Sequence, residues 1–292
     1  MTTAKLIDGK THAATIRREI AKVAGEWASH YGRPVGLDVI LVGDDPASQV
    51  YVASKERQAA AAGLRGHVHR LPRATTQESL EALIATLNAD TCVDGILLQL
   101  PLPPHLDATR AVGCIAPAKD VDGLSAQNAG ALALGLPGLF PCTPLGIIEL
   151  LKREGVALAG ARALVIGRSP LVGLPVARML THGDATVTLA HSKSRELAEL
   201  ALDADVLVVA AGKRHFVRGA WVKPGSVVID VGIHRDASGT LAGDVVFDEV
   251  TSRAALVTPV PGGVGPMTIA MLLSNTVKAA TVRALDPGIH AT

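Results

Sequence analysis

A phenol and an amine four residues apart are the first side chains in this sequence whose spacing could do chemistry. Tyr51 and Lys55 lie in a segment that is predicted to be a helix, with Asp45 as its cap and Gly63 as its stop. Side chains four residues apart share one face of a helix. Because an amine held on a mostly apolar face loses hydration, its charged form is disfavoured, and Lys55 becomes a candidate for proton transfer near neutral pH. The alternative is a solvated Tyr/Lys pair, which is common on helix surfaces.

An amide and a pair of carboxylates are further candidates. Gln99 ends an apolar segment that starts at Asp94 and stops at prolines, so it either satisfies neighbouring backbone groups or faces a polar site. Asp120 and Asp122 stand two residues apart, just before Gly123. Such a pair usually forms an exposed turn, but one of the two carboxylates could instead bind the amino-bearing edge of a ligand.

A glycine-containing turn between a strand and a helix predicts an anion site. Residues 162–166 form a short apolar run, Gly167 to Gly173 follow it, and a helix is predicted from about 175 to 180. This order directs backbone amides and the positive end of a helix dipole at one point. The spacing is not G-x-G-x-x-G and is weak on its own. Support for a nucleotide-binding doubly wound sheet comes from further buried strands predicted at 186–190, 206–210 and 227–231.

The residues that follow 186–190 predict which cofactor is used. An NAD enzyme normally carries Asp or Glu at this point, where it binds the ribose 2′-hydroxyl. This chain has His-Ser-Lys-Ser-Arg at 191–195 instead. Hydroxyls and positive charge without an acid favour a 2′-phosphate, and therefore NADP. A solvated basic loop is the alternative.

A second glycine-rich stretch precedes the last helix, which is predicted at 268–284. Residues 258–268 read Thr-Pro-Val-Pro-Gly-Gly-Val-Gly-Pro-Met-Thr. So many glycines in so few residues let a backbone approach a ligand closely. A tight linker is the alternative, since Gly and Pro commonly interrupt regular structure in loops.

Length and composition predict an α/β protein of two domains. The chain has 292 residues, of which 48% are apolar and only 2% aromatic, so its cores must be built from Ala, Val, Leu and Ile. A net charge of +1 argues against a polyanion as the main partner. The sequence has neither an apolar run of bilayer length nor a signal-peptide pattern, so we expect a cytoplasmic protein. Three separated cysteines predict free thiols, and the ten histidines lack metal-ligand spacing, so no metal is expected.

Strand and helix patterns alternate along the chain. Helices are predicted at 11–27, 76–87 and 143–155, strands at 35–42, 66–71 and 94–100, and a hinge at 135–141. We therefore expect an N-terminal α/β domain over 1–141 and a Rossmann-like doubly wound domain over 142–266. The final helix, within 267–285, is expected to return and complete the first domain.

Taken together, these segments resemble the bifunctional methylenetetrahydrofolate dehydrogenase/cyclohydrolase family over nearly the whole chain. The motifs that carry the resemblance are, in chain order, the Tyr51/Lys55 helix, DGILLQLPLP at 94–103, KDVDG at 119–123, PCTP at 141–144, GRSPLVG at 167–173 and PVPGGVGPMT at 259–268. Several of these motifs are long and specific. One departure is Ala131, where relatives often carry Arg, which affects a local salt bridge and not the chemistry.

The resemblance implies two linked reactions on one folate, which binds to the N-terminal domain. NADP⁺ takes a hydride from 5,10-methylenetetrahydrofolate, and water then opens the methenyl product to 10-formyltetrahydrofolate. By the family's pattern, Lys55 is the catalytic amine, Gln99 tunes it by hydrogen bonding, Tyr51 stacks on the folate and Asp122 holds the pterin edge. The resemblance also assigns Ser48 to the folate pocket, Gly167, Arg168, Ser169, Ser192 and Ile233 to the cofactor, and Gly262, Gly263 and Gly265 to the surroundings of the folate and nicotinamide. It implies a homodimer formed through the cofactor domain.

Two other classes of protein are considered beside this family. A short-chain dehydrogenase also uses Tyr-x-x-x-Lys, but its glycine-rich turn comes near the N-terminus and before that pair, whereas here Tyr51 and Lys55 come first. A non-catalytic NADP-binding regulator could keep the fold, but retention of all four residues, Tyr51, Lys55, Gln99 and Asp122, argues against it.

The missing acid after residue 190 generates a prediction on cofactor choice. We expect kcat/KM for NADP⁺ to be much higher than for NAD⁺, because the loop at 191–195 offers hydroxyls and positive charge to a 2′-phosphate. Steady-state oxidation of methylenetetrahydrofolate with each cofactor measures both values. Equal values would refute the argument from the 2′-phosphate.

Overall fold

The fold consists of two compact units, each built around a parallel sheet. The computed structural model describes residues 3–236 and 239–285. One unit contains the described residues up to 14 together with 143–268, and the other contains 15–142 with the described residues from 269 onward. We call them the six-stranded unit and the three-stranded unit, after their sheets. The two-domain α/β fold expected from the sequence is confirmed.

The elements follow in chain order, within the described residues. The strands are β1 (Lys5–Leu6), β2 (Gly36–Val42), β3 (Arg65–Leu71), β4 (Gly95–Leu98), β5 (Arg162–Ile166), β6 (Thr186–Ala190), β7 (Val206–Val209), β8 (Val227–Asp230), β9 (His234–Arg235), β10 (Leu241–Ala242) and β11 (Leu256–Val257). The helices are α1 (Gly9–Tyr31), α2 (Pro46–Ala61), α3 (Gln77–Ala89), α4 (Ala108–Gly113), α5 (Ala126–Leu134), α6 (Cys142–Arg153), α7 (Gly173–His182), α8 (Leu197–Leu202), α9 (Phe247–Thr251) and α10 (Val264–Leu285). None of these helices is both long and apolar enough to cross a membrane.

The three-stranded sheet is parallel and has the order β3-β2-β4. Every residue of β2 is buried, as expected for a central strand covered on both faces. The chain passes from β2 to β3 on one side and then to β4 on the other side, so the strand order reverses between β2 and β4. In parallel α/β sheets, ligands bind at the carboxyl ends of the strands beside such a reversal.

The six-stranded sheet is also parallel throughout, in the order β1-β11-β8-β7-β5-β6. The strand order reverses here between β5 and β7, which is the doubly wound pattern predicted from the sequence. The strands predicted at 162–166 and 186–190 have these bounds, while those predicted to end at 210 and 231 end one residue earlier.

A short strand near the N-terminus joins the six-stranded unit. Lys5 and Leu6 form β1, which pairs in parallel with Leu256 and Val257 of β11 at the sheet edge. The sequence gives no local signal for so short a strand, because its pairing partner lies about 250 residues away along the chain. The functional domain bounds given above, which assign residue 1 to the first domain, stay a prediction.

Several helices differ in extent from the sequence-based expectation. Helices α4 and α5 were not predicted, because they are only six and nine residues long, although both have a side-chain cap, Asp107 and Ser125. Helix α1 begins at Gly9, two residues before the predicted start, because Asp8 accepts hydrogen bonds from the backbone amides of Lys10 and Thr11. Helix α10 begins at Val264, inside the glycine-rich stretch.

The C-terminal part of α10 completes the three-stranded unit, as expected. Buried Asn275 donates to the backbone oxygens of Val121 and Phe140, at 2.8 and 2.9 Å. Arg283, whose side chain is 6% exposed, donates to the backbone oxygen of Val93 and to Asp94. Asp94 is itself buried and also accepts two hydrogen bonds from Arg33, at 2.6 and 2.9 Å.

This buried carboxylate predicts a stability effect. Replacing Asp94 by Ala leaves the charge of Arg283 buried without a carboxylate to pair with, and we expect a loss of about 3–5 kcal/mol in the free energy of unfolding. Urea unfolding of the full chain measures it. A matched control is Asp203→Ala, because Asp203 pairs with Arg162 where both side chains are 63% exposed, and it should cost less than about 1 kcal/mol. A similar loss in both variants would contradict the prediction.

Candidate functional site

A lysine and a glutamine meet where the strand order of the three-stranded sheet reverses. Lys55 lies on α2, which follows β2, and Gln99 is the first residue after β4. The Nζ atom of Lys55 donates to Oε1 of Gln99 at 2.8 Å. The Nε2 atom of Gln99 donates to the backbone oxygen of Leu100 at 2.6 Å, which directs the amide oxygen towards the amine. The structure therefore brings together two residues that are 44 positions apart in the sequence.

The local sequence explains how α2 presents Lys55. Asp45 caps the helix by accepting from the backbone amide of Ser48 at 2.8 Å, and Gly63 follows its end with φ of 76°. Ser48 is buried, whereas the side chain of Tyr51 is 48% exposed. The ring of Tyr51 is therefore available to stack on a flat ligand, whereas Ser48 lies buried in the first turn of the helix.

Burial changes the pKa of Lys55. Loss of hydration lowers the pKa of Lys55 below its ordinary value, and the nearby acidic groups of Asp122 and Cys142 oppose this shift without cancelling it. Burial also raises the pKa of Asp122, an effect that the positive charge of Lys55 opposes. The three groups form one electrostatic cluster in which charged forms are disfavoured.

Cys142 belongs to this cluster and was not identified from the sequence as a site residue. Its thiol is 2% exposed and donates to the backbone oxygen of Val121 at 3.3 Å. Burial raises the pKa of the Cys142 thiol, and the neighbouring carboxylate of Asp122 adds to the effect. The signal available in the sequence was the PCTP motif, whose prolines and threonine explain a helix start but whose cysteine has no role there.

The two carboxylates of the KDVDG turn have separate roles in the structure. Asp120 is buried and accepts from the backbone amide of Ser125 and from Nδ2 of Asn128, at 2.7 and 3.0 Å. Lys119 is also buried, and its Nζ atom donates to three backbone oxygens at the end of α3, those of Leu87, Asn88 and Asp90. These bonds fix the turn on both sides, so that Asp122 is held beside the amine of Lys55.

The glycine turn of the six-stranded unit follows β5, at the strand-order reversal of that sheet. Gly167 has φ of 120°, and a Cβ atom added to it would lie 2.1 Å from the backbone oxygen of Ala210. A Cβ atom on Gly173 would lie 1.9 Å from the backbone oxygen of Gly167. Only glycine fits at both positions, and the resulting backbone cradle opens at the first turn of α7. This geometry fits the phosphates of a dinucleotide.

Side chains around this cradle carry hydroxyls and positive charge. The hydroxyl of Ser169 accepts from the backbone amide of Val172 at 3.1 Å, which shapes the turn. Arg168 is exposed, and within the described residues its guanidinium has no hydrogen bond or ion pair. After β6, the loop at 191–195 is closed by the bond from the amide of His191 to the hydroxyl of Ser194, and it exposes Ser192, Lys193 and Arg195.

The remaining predicted residues also lie in the six-stranded unit. Ile233 follows β8 and is 49% exposed, so its side chain is accessible to a ligand. Its Cδ1 atom lies 3.7 Å from the point where a Cβ atom on Gly265 would stand. Gly262 has φ of 114°, and a Cβ atom on Gly263 would lie 2.6 Å from Cβ of Thr258. Glycine is therefore required at both positions of this turn.

Two family models match the chain, one over the strands of the three-stranded sheet and the other over most strands of the six-stranded sheet. The model described as the catalytic domain of tetrahydrofolate dehydrogenase/cyclohydrolase matches residues 7–122, and the model of its NAD(P)-binding domain matches residues 141–284. The bifunctional protein FolD of Sorangium cellulosum is 54% identical over 281 residues, which cover 96% of this chain and 98% of the relative. The chain belongs to the tetrahydrofolate dehydrogenase/cyclohydrolase family.

Solved structures of the tetrahydrofolate dehydrogenase/cyclohydrolase family have the same fold. FolD from Campylobacter jejuni is 47% identical, covers 96% of this chain and 99% of its own, and superposes with a TM-score of 0.94. The Trypanosoma brucei methylenetetrahydrofolate dehydrogenase-cyclohydrolase, solved with NADP and an inhibitor, is 41% identical, covers 98% and 100%, and has a TM-score of 0.92. This membership excludes the short-chain dehydrogenase considered above.

The depressed pKa of Lys55 predicts its reactivity. Trace labelling with acetic anhydride follows the neutral amine, so the labelling of Lys55 should reach half its maximum at lower pH than that of exposed Lys22 in the same sample. In Asp122→Asn the midpoint should fall further, because a carboxylate that favours the ammonium form is removed. Mass spectrometry of peptides labelled across a pH series measures both. A midpoint for Lys55 equal to that of Lys22 would contradict the proposed desolvation.

Proposed function

We propose that this chain oxidises 5,10-methylenetetrahydrofolate to the 5,10-methenyl compound with NADP⁺ and then hydrolyses that product to 10-formyltetrahydrofolate. The observation that carries the proposal is the 2.8 Å hydrogen bond between Lys55 and Gln99, made by a lysine whose charged form burial disfavours. Family membership supplies the substrate and the pair of reactions.

Lys55 is proposed as the base of the hydrolytic step. The methenyl carbon is cationic, so an ammonium group beside it would raise the barrier by repulsion, whereas a neutral amine does not. As the oxygen of water bonds to this carbon, the lone pair of Lys55 accepts the proton that water loses. The hydroxyl group formed on the carbon then loses its remaining proton and becomes the formyl C=O as the bond from the carbon to N5 breaks. N5 takes up one of the two protons of water, the other is released to solvent, and the formyl group remains on N10.

Gln99 is proposed to hold the amine in the orientation that this step needs. A neutral amine has two N–H donors and one lone pair, and the oxygen of Gln99 takes one donor. Because the other end of the amide is tied to Leu100, the direction of the remaining lone pair is restricted. Orienting a base in advance is a main source of rate enhancement.

The other polar groups of the three-stranded unit are proposed to bind the folate. Tyr51 stacks on the flat ring, Asp122 binds the amino-bearing edge of the pterin, and Ser48 lines the pocket. The exposure of Tyr51 and the fixed position of Asp122 beside Lys55 support these roles. In the six-stranded unit, the glycine turn at Gly262 and Gly263 is proposed to approach the folate through its backbone.

NADP is proposed to bind the six-stranded unit. Gly167, Arg168 and Ser169 would hold its phosphates, Ser192 its 2′-phosphate, and Ile233 its nicotinamide end. The cradle at Gly167 and Gly173, and the exposed hydroxyl and positive charges of the loop at 191–195, support this assignment. When bound, NADP⁺ supplies the hydride acceptor of the first reaction. A homodimer formed through this unit also belongs to the proposal and rests on the family alone, and so does a place in the cytoplasm, which was expected from the sequence.

Substitution of the amine tests the proposal. Lys55→Met should reduce hydrolysis of the methenyl compound by about 10²–10⁴-fold, since the general base is lost, while NADP still binds. Hydrolysis is followed by the absorbance of the methenyl compound, and NADP binding by calorimetry. Lys22→Met, on the exposed surface of α1, is the matched control and should retain activity.

The outcomes distinguish the proposed enzyme from the non-catalytic NADP-binding regulator. Unchanged hydrolysis in Lys55→Met would remove Lys55 from the mechanism. A wild-type chain that binds NADP but turns over neither folate would instead be the non-catalytic regulator.

A further inference from the structure

Asp244 is a fully buried carboxylate that has no role in the proposed chemistry. Its side chain is 0% exposed and accepts three hydrogen bonds within the six-stranded unit. The backbone amides of Gly212 and Lys213 donate to it at 2.9 and 3.0 Å, and Nε2 of His234 lies 2.7 Å from Oδ1. Because an ionised carboxylate only accepts, the Nε2 atom of His234 carries the hydrogen of this bond.

These donors come from the ends of two neighbouring strands. Gly212 follows β7 and His234 lies beyond the end of β8, so Asp244 joins the carboxyl-end loops of adjacent strands. In this sheet β6 lies on one side of β5, while β7 and β8 lie on the other. In the proposed binding mode the loop after β6 binds the 2′-phosphate and the turn after β5 binds the two linking phosphates. The nicotinamide half of the cofactor then extends to the opposite side of β5, where the loops joined by Asp244 lie.

A second buried carboxylate, that of Asp230, binds both the segment before Ile233 and the segment that contains Asp244. Asp230, the last residue of β8, accepts from the backbone amides of Gly232, Asp244 and Val245, at 3.0, 2.9 and 3.1 Å. Burial raises the pKa of Asp230 to about 6. A Cβ atom on Gly232 would lie 2.3 Å from Oδ1 of Asp244, so the backbone lies directly against the carboxylate.

Ile233 is therefore fixed on both sides. The amide of Gly232, just before it, is bound by Asp230, and the ring of His234, just after it, is bound by Asp244. The side chain of Ile233 itself stays 49% exposed. An exposed apolar side chain on a loop that is rigidly held at both flanks is suited to receive a flat ligand, because little conformational entropy remains to be lost on binding.

We propose that Asp244 and His234 are positioning residues for the nicotinamide half of NADP, acting by holding Ile233 and the loop at Gly212 in their binding geometry. This inference rests on the proposed function. The role assigned to His234 is to donate one hydrogen bond to Asp244. Another side chain that places an N–H group at the same position can therefore substitute for it.

Two substitutions of His234 test the role. Gln places an amide N–H where Nε2 of His234 stands, whereas Leu fills similar space without a donor. We expect His234→Leu to weaken NADPH binding by about 10–100-fold, the effect of losing one hydrogen bond to a charged group, and His234→Gln to restore most of it. Titration of NADPH fluorescence without folate measures the affinities.

Hydrogen exchange in the cofactor-free protein provides a readout independent of activity. In Asp244→Asn we expect faster exchange of the amides of Gly212 and Lys213, because the charged acceptor of both is lost. Hydrolysis of the methenyl compound without NADP should be unchanged in all three variants, because Lys55 and Gln99 lie in the other unit.

Each outcome decides the inference. Equal NADPH affinity in His234→Leu and in the wild type would overturn it. A variant that loses both NADPH binding and cofactor-free hydrolysis would also overturn it, because that result indicates a general structural role. Failure of the wild-type chain to oxidise methylenetetrahydrofolate would reject the proposed function, whereas the NADPH affinities of the variants would still test the positioning role.

Discussion

The loss of hydration at the amine of Lys55 is the physical constraint on which the candidate site of the three-stranded unit depends. Loss of hydration lowers the pKa of Lys55 below that of an ordinary lysine, while the neighbouring acids Asp122 and Cys142 partly oppose this shift. The opposing acids are the half-buried Asp122 and the buried Cys142, and loss of hydration disfavours the charged form of each. The cluster therefore brings three titratable groups close together, and in each of them burial acts against the charged form.

The same sheet geometry creates both candidate sites. In each unit the strand order reverses once, and the polar or glycine residues proposed for function lie at the carboxyl ends of the strands at that reversal. In the three-stranded unit the side chains Lys55 and Gln99 fill this position, and in the six-stranded unit the bare backbone at Gly167 does. The first arrangement suits proton chemistry, and the second suits close contact with phosphates.

Much of the fold was predictable because its signals are local. The strands at 162–166 and 186–190, the cap at Asp45 and the stop at Gly63 depend on residues within a few positions of one another. The pairing of β1 with β11 could not be predicted, since it depends on a partner from the far end of the chain.

The candidate site, too, could be predicted only as far as its residues can be identified without knowledge of tertiary contacts. Lys55, Gln99 and Asp122 were named from the family resemblance and their residue types, and their roles stay predictions. The contribution of Cys142 to the cluster and the different roles of Asp120 and Asp122 depend on tertiary contacts. In particular, the hydrogen bonds of Asp120 to Ser125 and Asn128 exist only once α5 has formed.

The bonds of Asn275 have a consequence for biosynthesis. The oxygens of Val121 and Phe140, on either side of the turn that carries Asp122, are both bound by this one amide from α10. A ribosome makes residues 15–142 long before it makes residue 275, so the nascent three-stranded unit must wait, with these oxygens open, while the whole six-stranded unit is translated. The turn that carries Asp122 therefore gains this tie only after residue 275 has been made, later than every strand of both described sheets.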